Sequence, residues 1–270
     1  MNMFKKSLLI IGLAILSVGI FAQSVNEVGA KYNEGNERYK AKEYVQAIEA
    51  YKAGIELAKQ VGEDADDLKG SIETQLGNAY YKNGISLYKA KDFDGSIASL
   101  EKGYAVAKEI GDDKLLKKSI SVIAQVRTKK GDALRKDKHL DEAYAEYEMA
   151  LEMKPDCAKS LYGEGMVFKE KGELENMIEK MDLSIKYGAD NSKMEKTVNA
   201  AKASAARTLL AKAVEEFNAQ KFDDAGKYIG LSVHYTPFDE GTMEIFNQIA
   251  DQAKDVPEMA DSIAKAKEAL

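Results

Sequence analysis

Tryptophan is absent from this 270-residue sequence, and cysteine, histidine and proline are nearly so, at one, two and three residues. The lone Cys157 excludes an internal disulfide framework and any metal site built from a cysteine cluster. His139 and His234 leave little material for imidazole chemistry, and neither has a Cys, His or carboxylate at metal-ligand spacing. Few prolines and an ordinary 20 glycines exclude collagen-like and low-complexity chains. Glycine-rich phosphate loops and nucleophile elbows are missing too. Acidic runs such as Glu63-Asp64-Ala65-Asp66-Asp67 fall at helix starts, where they complement the helix dipole. They lack the alternating oxygen ligands and the glycine of a calcium loop. We therefore expect no catalytic residues, no metal and no cofactor.

The chain does have core material. Apolar residues make up 45% and charged residues 31%, which is too apolar for a disordered chain. Ala, Lys, Glu and Leu dominate, which favours helix. The net charge of −6 argues against broad nucleic-acid binding. The length allows one or two domains. One stretch reverses the sign locally: Lys114–Lys138 carries nine Lys or Arg against Asp132 and Asp137. It reads either as a dock for an anionic partner or, preferably, as a solvated face that offsets acidic neighbours. No aromatic residue is interleaved in it, so no nucleic-acid partner is expected.

The first residues read as an address. Lys5 and Lys6 precede LLIIGLAILSVGIFA, fifteen uncharged residues from Leu8 through Ala22. A basic start, a short apolar run and a small residue at its end fit a secretory signal peptide over residues 1–22, cleaved after Ala22. As a helix the run would span only about 22 Å, short of the roughly 30 Å hydrocarbon core. The alternative is an uncleaved N-terminal membrane anchor. Cleavage would leave a chain of charge −8 with no membrane span. The expectation is an exported protein, in the periplasm or cell envelope of a Gram-negative source and otherwise secreted. In such an oxidising space Cys157 reads as a buried small residue, with an intermolecular disulfide as the alternative.

The rest repeats. AYKAGIELAKQVGED from Ala50 returns as SLEKGYAVAKEIGDD from Ser99, and YKAKEYVQAIEAY from Tyr39 returns as YKAKDFDGSIASL from Tyr88. Further copies begin at Arg135, Lys169 and Asn218, the last one worn. Apolar and small residues recur at three- and four-residue steps in two halves around a polar turn, which is helix periodicity. In copy one the halves are Lys31–Lys40 and Tyr44–Gln60; Asp64–Leu76 and Asp113–Val126 read as helical extensions. Gly62, Gly111 and Gly188 suit left-handed helix ends. Asp112 or Asp113 is placed to cap the next helix. Pro155 and Pro237 fall just past a second helix.

Small residues recur in each first half: Gly35, Gly84, Gly131, Gly165 and Ala213. Each second half opens on a bulky residue (Tyr44, Phe93, Leu140, Leu174, Phe222). It carries an early small one (Ala47, Ser96, Ala143, Ala225, with Met177 the exception) and a small one near its end (Gly54, Gly103, Ala150, Ser184, Ser232). Small facing positions let helices approach closely, and bulky ones fill the gaps. This pattern resembles the tetratricopeptide repeat family, whose unit is two antiparallel helices in 34 residues. The resemblance implies an all-α, right-handed superhelical solenoid of about five helix pairs. The repeats would cover 28–61, 77–110, 124–157, 158–191 and 206–239 within a 23–239 solenoid, with capping helices over 240–270.

In that family the first helices line the concave face and partner segments lie along them. The resemblance therefore nominates Tyr32, Asn36 and Tyr39 in copy one, then Tyr81, Ile85 and Tyr88. The matching stripes are Thr128, Asp132 and Arg135, then Tyr162, Met166 and Lys169. The last, Leu210, Val214 and Phe217, is assigned no binding role because it falls under the carboxy-terminal helices. Candidate partner-binding residues are thus Tyr32, Asn36, Tyr39, Tyr81, Tyr88, Arg135, Tyr162 and Lys169. Their tyrosines suit extended chains, although the same rings could instead pack between neighbouring first helices. The carboxylate clamp of chaperone-binding members would begin with Lys where Tyr32 stands, so no such clamp is expected. The implied function is an exported, non-enzymatic scaffold that binds another protein or peptide. Self-association through an open end is a further option. A carbohydrate-binding or envelope-associated module using the tyrosines is the alternative.

Overall fold

The computed structural model describes residues 25–270. The leader expected at residues 1–22 lies outside them. Among the described residues the chain is all α-helical, with three short 3₁₀ turns and no strand. The described part of α1 covers 25–40. There follow α2 (Tyr44–Val61), α3 (Asp66–Lys89), α4 (Phe93–Ile110), α5 (Asp113–Lys136), α6 (Leu140–Met153) and α7 (Ala158–Lys171). Then come α8 (Leu174–Gly188), α9 (Glu195–Asn218), α10 (Phe222–Ser232), α11 (Glu240–Gln252) and α12 (Pro257–Ala269). The chain forms two compact units that divide between Val126 and Arg127. In the first, α3 packs on both α2 and α4. In the second, α9 packs on α7, α8, α10 and α11, and α12 on α10.

The expected extensions are helix. They fuse with the first helices that follow, so α3, α5 and α9 each run 24 residues. All five second helices begin on the bulky residue that marked them: Tyr44, Phe93, Leu140, Leu174 and Phe222. Side-chain caps hold several starts. Asp92 accepts from the Gly95 N–H and Asp112 from the Leu115 N–H, each at 2.9 Å. Asp239 accepts from the Thr242 N–H at 2.8 Å. Each satisfies an amide that the first turn leaves without an intrahelical acceptor.

One contact recurs through both units. A Cβ on Gly35 would lie 2.3 Å from the Tyr51 ring, and one on Gly84 2.5 Å from Leu100. On Gly131 it would lie 2.7 Å from the Tyr147 ring, and on Gly165 2.9 Å from Met181. Each glycine thus sits beneath a second-helix side chain sixteen residues on. Ala213 and Ile229, both fully buried, stand at the same spacing. Because the glycine end of α3 meets the start of α4, and its middle the end, the two helices run antiparallel: Gly84 lies at Leu100, and Gly77 at Val106. The early small positions Ala47, Ser96, Ala143 and Ala225 are fully buried, as is Met177 in their place in α8.

Two sequence expectations change. Gly62 and Gly111 do take positive φ, 85° and 71°, but Gly188 does not. It is the last residue of α8, and its missing Cβ would lie 2.6 Å from Val198 Cγ2, so close approach of α9 keeps it small. The left-handed residues lie instead in the turns between paired helices: Lys42, Lys91, Lys138, Gly172 and Gln220, with φ of 59° to 77°. Cys157 is half-buried at the N-cap of α7 rather than fully enclosed, because the chain there leaves the core to turn.

Candidate partner-binding face

On α1 and α3 the nominated stripe sits half-buried, bordered by an exposed row one residue further on. That row is Asn33, Glu37 and Lys40 on α1 and Lys82, Ser86 and Lys89 on α3. In the first unit, Tyr32 lies against the core with its ring 6.4 Å from that of Tyr51. Tyr39 meets Tyr44 edge-on at 5.6 Å, and burial, then the neighbouring Tyr44, raise its hydroxyl pKa. Tyr88 packs on Phe93 at 6.2 Å, one repeat further on. These two rings therefore fasten the turn into the second helix. Tyr81 is half-buried, and that burial raises its pKa.

Asn36 does something the sequence reading missed: its Oδ1 accepts a 2.8 Å hydrogen bond from the Tyr51 hydroxyl. The equivalent position in the second unit, Asp132, accepts from Tyr147 at 2.9 Å. Where the second helix carries a leucine, methionine or isoleucine there (Leu100, Met181, Ile229), the first helix carries Ile85, Met166 or Val214. The middle of the stripe is matched to the partner helix, polar to tyrosine and apolar to aliphatic. Burial pushes the Tyr51 hydroxyl up to about 12 and raises that of Tyr147, whose Asp132 partner adds to the effect.

In the second unit, Tyr162 packs with Met166 against the cluster formed by α8 and α9. Arg135 reaches Glu170 at 2.6 Å, and Lys138 reaches the other oxygen at 2.8 Å. Lys169 keeps an exposed side chain; desolvation, then the charge of Arg207, holds its ammonium below the usual lysine range. Thr128 is buried and shares a hydrogen bond with Ser160 at 2.7 Å.

The tyrosines divide by what their hydroxyls do. The buried ones donate inside the chain: Tyr51 to Asn36, Tyr147 to Asp132 and Tyr235 to Asp182. Among the described residues, no group hydrogen-bonds the hydroxyl of Tyr32, Tyr39, Tyr81 or Tyr162, all half-buried on first helices. The basic stretch divides as well. Arg127 and Lys130 pair with the buried Glu146, Lys129 with Asp132, and Arg135 and Lys138 with Glu170. Lys114, Lys117 and Lys118, at the start of α5, are exposed and have no such carboxylate.

No family model matches the chain, and no curated protein does. Solved structures do. YrrB, described as a TPR protein with an unusual peptide-binding site, is 18% identical; the match covers 63% of this chain and 93% of that one, with a TM-score of 0.28. PilF of Pseudomonas aeruginosa is 13% identical over 91% of this chain and 93% of its own, with a TM-score of 0.37. BtubC from P. vanneervenii is 16% identical over 82% and 89%, with a TM-score of 0.35. Within this chain itself, the helix pairs and the recurring glycine contact show an all-α array of paired helices. Among the described residues no helix is long and apolar enough to cross a membrane.

Proposed function

We propose that the protein is an exported, non-enzymatic scaffold whose first-helix face, on each unit, holds an extended segment of another protein. The observation that carries this reading is the set of half-buried tyrosines Tyr32, Tyr39, Tyr81 and Tyr162, whose hydroxyls are unused inside the chain. A buried polar group is normally satisfied within the fold, as Tyr51 and Tyr147 are. A half-buried ring with a free hydroxyl offers rigid apolar area and a hydrogen bond to an incoming main chain. Asn36 adds a donor: Tyr51 engages its carbonyl oxygen, and its amide N–H groups have no acceptor among the described residues. Tyr88 lines the same side, and Arg135 and Lys169 supply cations in the second unit. Lys114, Lys117 and Lys118 add a place for an acidic stretch of the partner.

A polypeptide fits better than a glycan. Among the described residues the one strongly exposed aromatic ring is Tyr187, on a second helix. The first-helix tyrosines are half-buried rather than flat open platforms.

Replacing Tyr32, Tyr39 and Tyr81 together by phenylalanine keeps every ring and removes three hydroxyls. At about 0.5–1.5 kcal/mol per hydrogen bond, affinity for the native partner should fall at least about tenfold with unchanged helical content. Crosslinking in the native compartment followed by mass spectrometry supplies that partner, and isothermal titration measures the loss. Undiminished affinity would remove these tyrosines from the interface.

A further inference from the structure

In the second unit an open groove of about 950 Å³ runs between α8 and α10, both second helices, with α9 as its floor. Its walls are second helices, and none of the residues of the proposed partner-binding face lines it. Its base holds Ile178 on α8 and Leu209 on α9, beside Lys212, whose ammonium is taken up by Glu215 and Glu216. Along one wall, Glu175 and Glu179 stand one helical turn apart, and neither has a cation among the described residues. Along the other, Lys227 and Leu231 stand one turn apart on α10. Lys227 has no carboxylate partner, and Leu231 is 47% exposed.

The two walls complement each other, not themselves. One carries paired anions; the other carries a cation beside a protruding leucine. A surface that presents both halves of a match suits a two-fold axis, where each copy gives what the other lacks. We infer that a second copy of this chain docks here. The α10 ridge of each copy enters the groove of the other, as ridges pack into grooves between helices. Leu231 then covers Ile178 and Leu209 of the partner copy, and Lys227 meets the Glu175–Glu179 pair. Each contact occurs twice.

The test is sedimentation equilibrium of the purified chain from 1 to about 200 µM, a range that spans weak dimers. The parent should show a reversible monomer–dimer equilibrium. Lys227→Glu alone should weaken the dimer at least about tenfold, because it sets like charges face to face at both contacts. Glu175→Lys with Glu179→Lys should do the same. An equimolar mixture of these two variants should dimerise again to within about threefold of the parent, since both contacts of the mixed pair then join opposite charges. All the substituted positions are exposed, so circular dichroism should be unchanged. A parent that stays monomeric throughout overturns the inference and leaves the groove to a segment of some other protein. So does a dimer that ignores the reversals, or a mixture that fails to recover.

Discussion

One methyl group separates the two kinds of glycine in this chain. Gly35 lies under the Tyr51 ring, and a Cβ on Gly163 would lie 2.4 Å from the Tyr147 ring. Gly70 is in α3 with nothing within 4 Å of its absent Cβ. Gly35→Ala and Gly163→Ala should each cost about 1–3 kcal/mol through overpacking. Gly70→Ala should gain about 0.5–1 kcal/mol, because alanine is the better helix former. Urea titration of the three variants reads both signs. Lys91 offers a second contrast, since it holds φ of 65° where the copy of the turn after α7 has Gly172. Lys91→Gly should raise the unfolding midpoint by roughly 0.5–1 kcal/mol equivalent, the left-handed strain relieved less the glycine entropy. These left-handed lysines were illegible in the sequence because nothing about lysine signals the conformation. The matching of Asn36 with Tyr51 was legible in principle. Its signal is internal: the copies with a second-helix tyrosine carry Asn or Asp fifteen residues earlier, and the others carry an aliphatic or methionine residue.

At the scale of the element, starts were easier to read than ends. A bulky residue after a polar turn marked every second helix, because that side chain must fill the gap where two helices meet. Gly188 misled because a small residue near a helix end serves either a left-handed turn or a close contact, and only the position of α9 decides which. The start of α11 gives a pH prediction. The Thr242 hydroxyl donates to Asp239 at 2.6 Å and Arg207 reaches the other oxygen at 2.5 Å. Together with the Thr242 N–H they hold the Asp239 carboxyl at about 2. A carboxyl depressed on folding stabilises above its unfolded value, near 3.9, and that contribution is lost as the pH falls through about 2. The Tm difference between the parent and Asp239→Asn should therefore be full above about pH 5 and shrink steadily between pH 4 and 2. The Asp239 side chain is 45% exposed, so salt should reduce the effect. A difference that is flat with pH would mean the cap acts without its charge.

For the molecule as a whole, the all-helical fold was legible because close packing recurs: the same small and bulky residues return in order. The face was legible only in part. The family resemblance nominated the stripe holding Tyr32, Asn36 and Tyr39, but not that its middle member faces the partner helix, nor that the open row runs through Asn33, Glu37 and Lys40. Side-chain direction within a helix follows from what packs against it, and that partner lies in the next helix rather than in the local sequence. The groove between α8 and α10 escaped notice for the same reason, since its wall residues are 48 to 56 positions apart in the chain.

The most direct measurement is site-specific photocrosslinking in the native compartment, with the reactive residue placed in turn at Lys82 and Ser86 on α3 and at Ala98 and Ala105 on α4. All four positions are exposed, so each is equally open to a partner. Adducts with another protein should form from the two first-helix positions and not from the second-helix pair. Adducts confined to Ala98 and Ala105, or equal yields from both helices, would contradict a scaffold that works through its first-helix face.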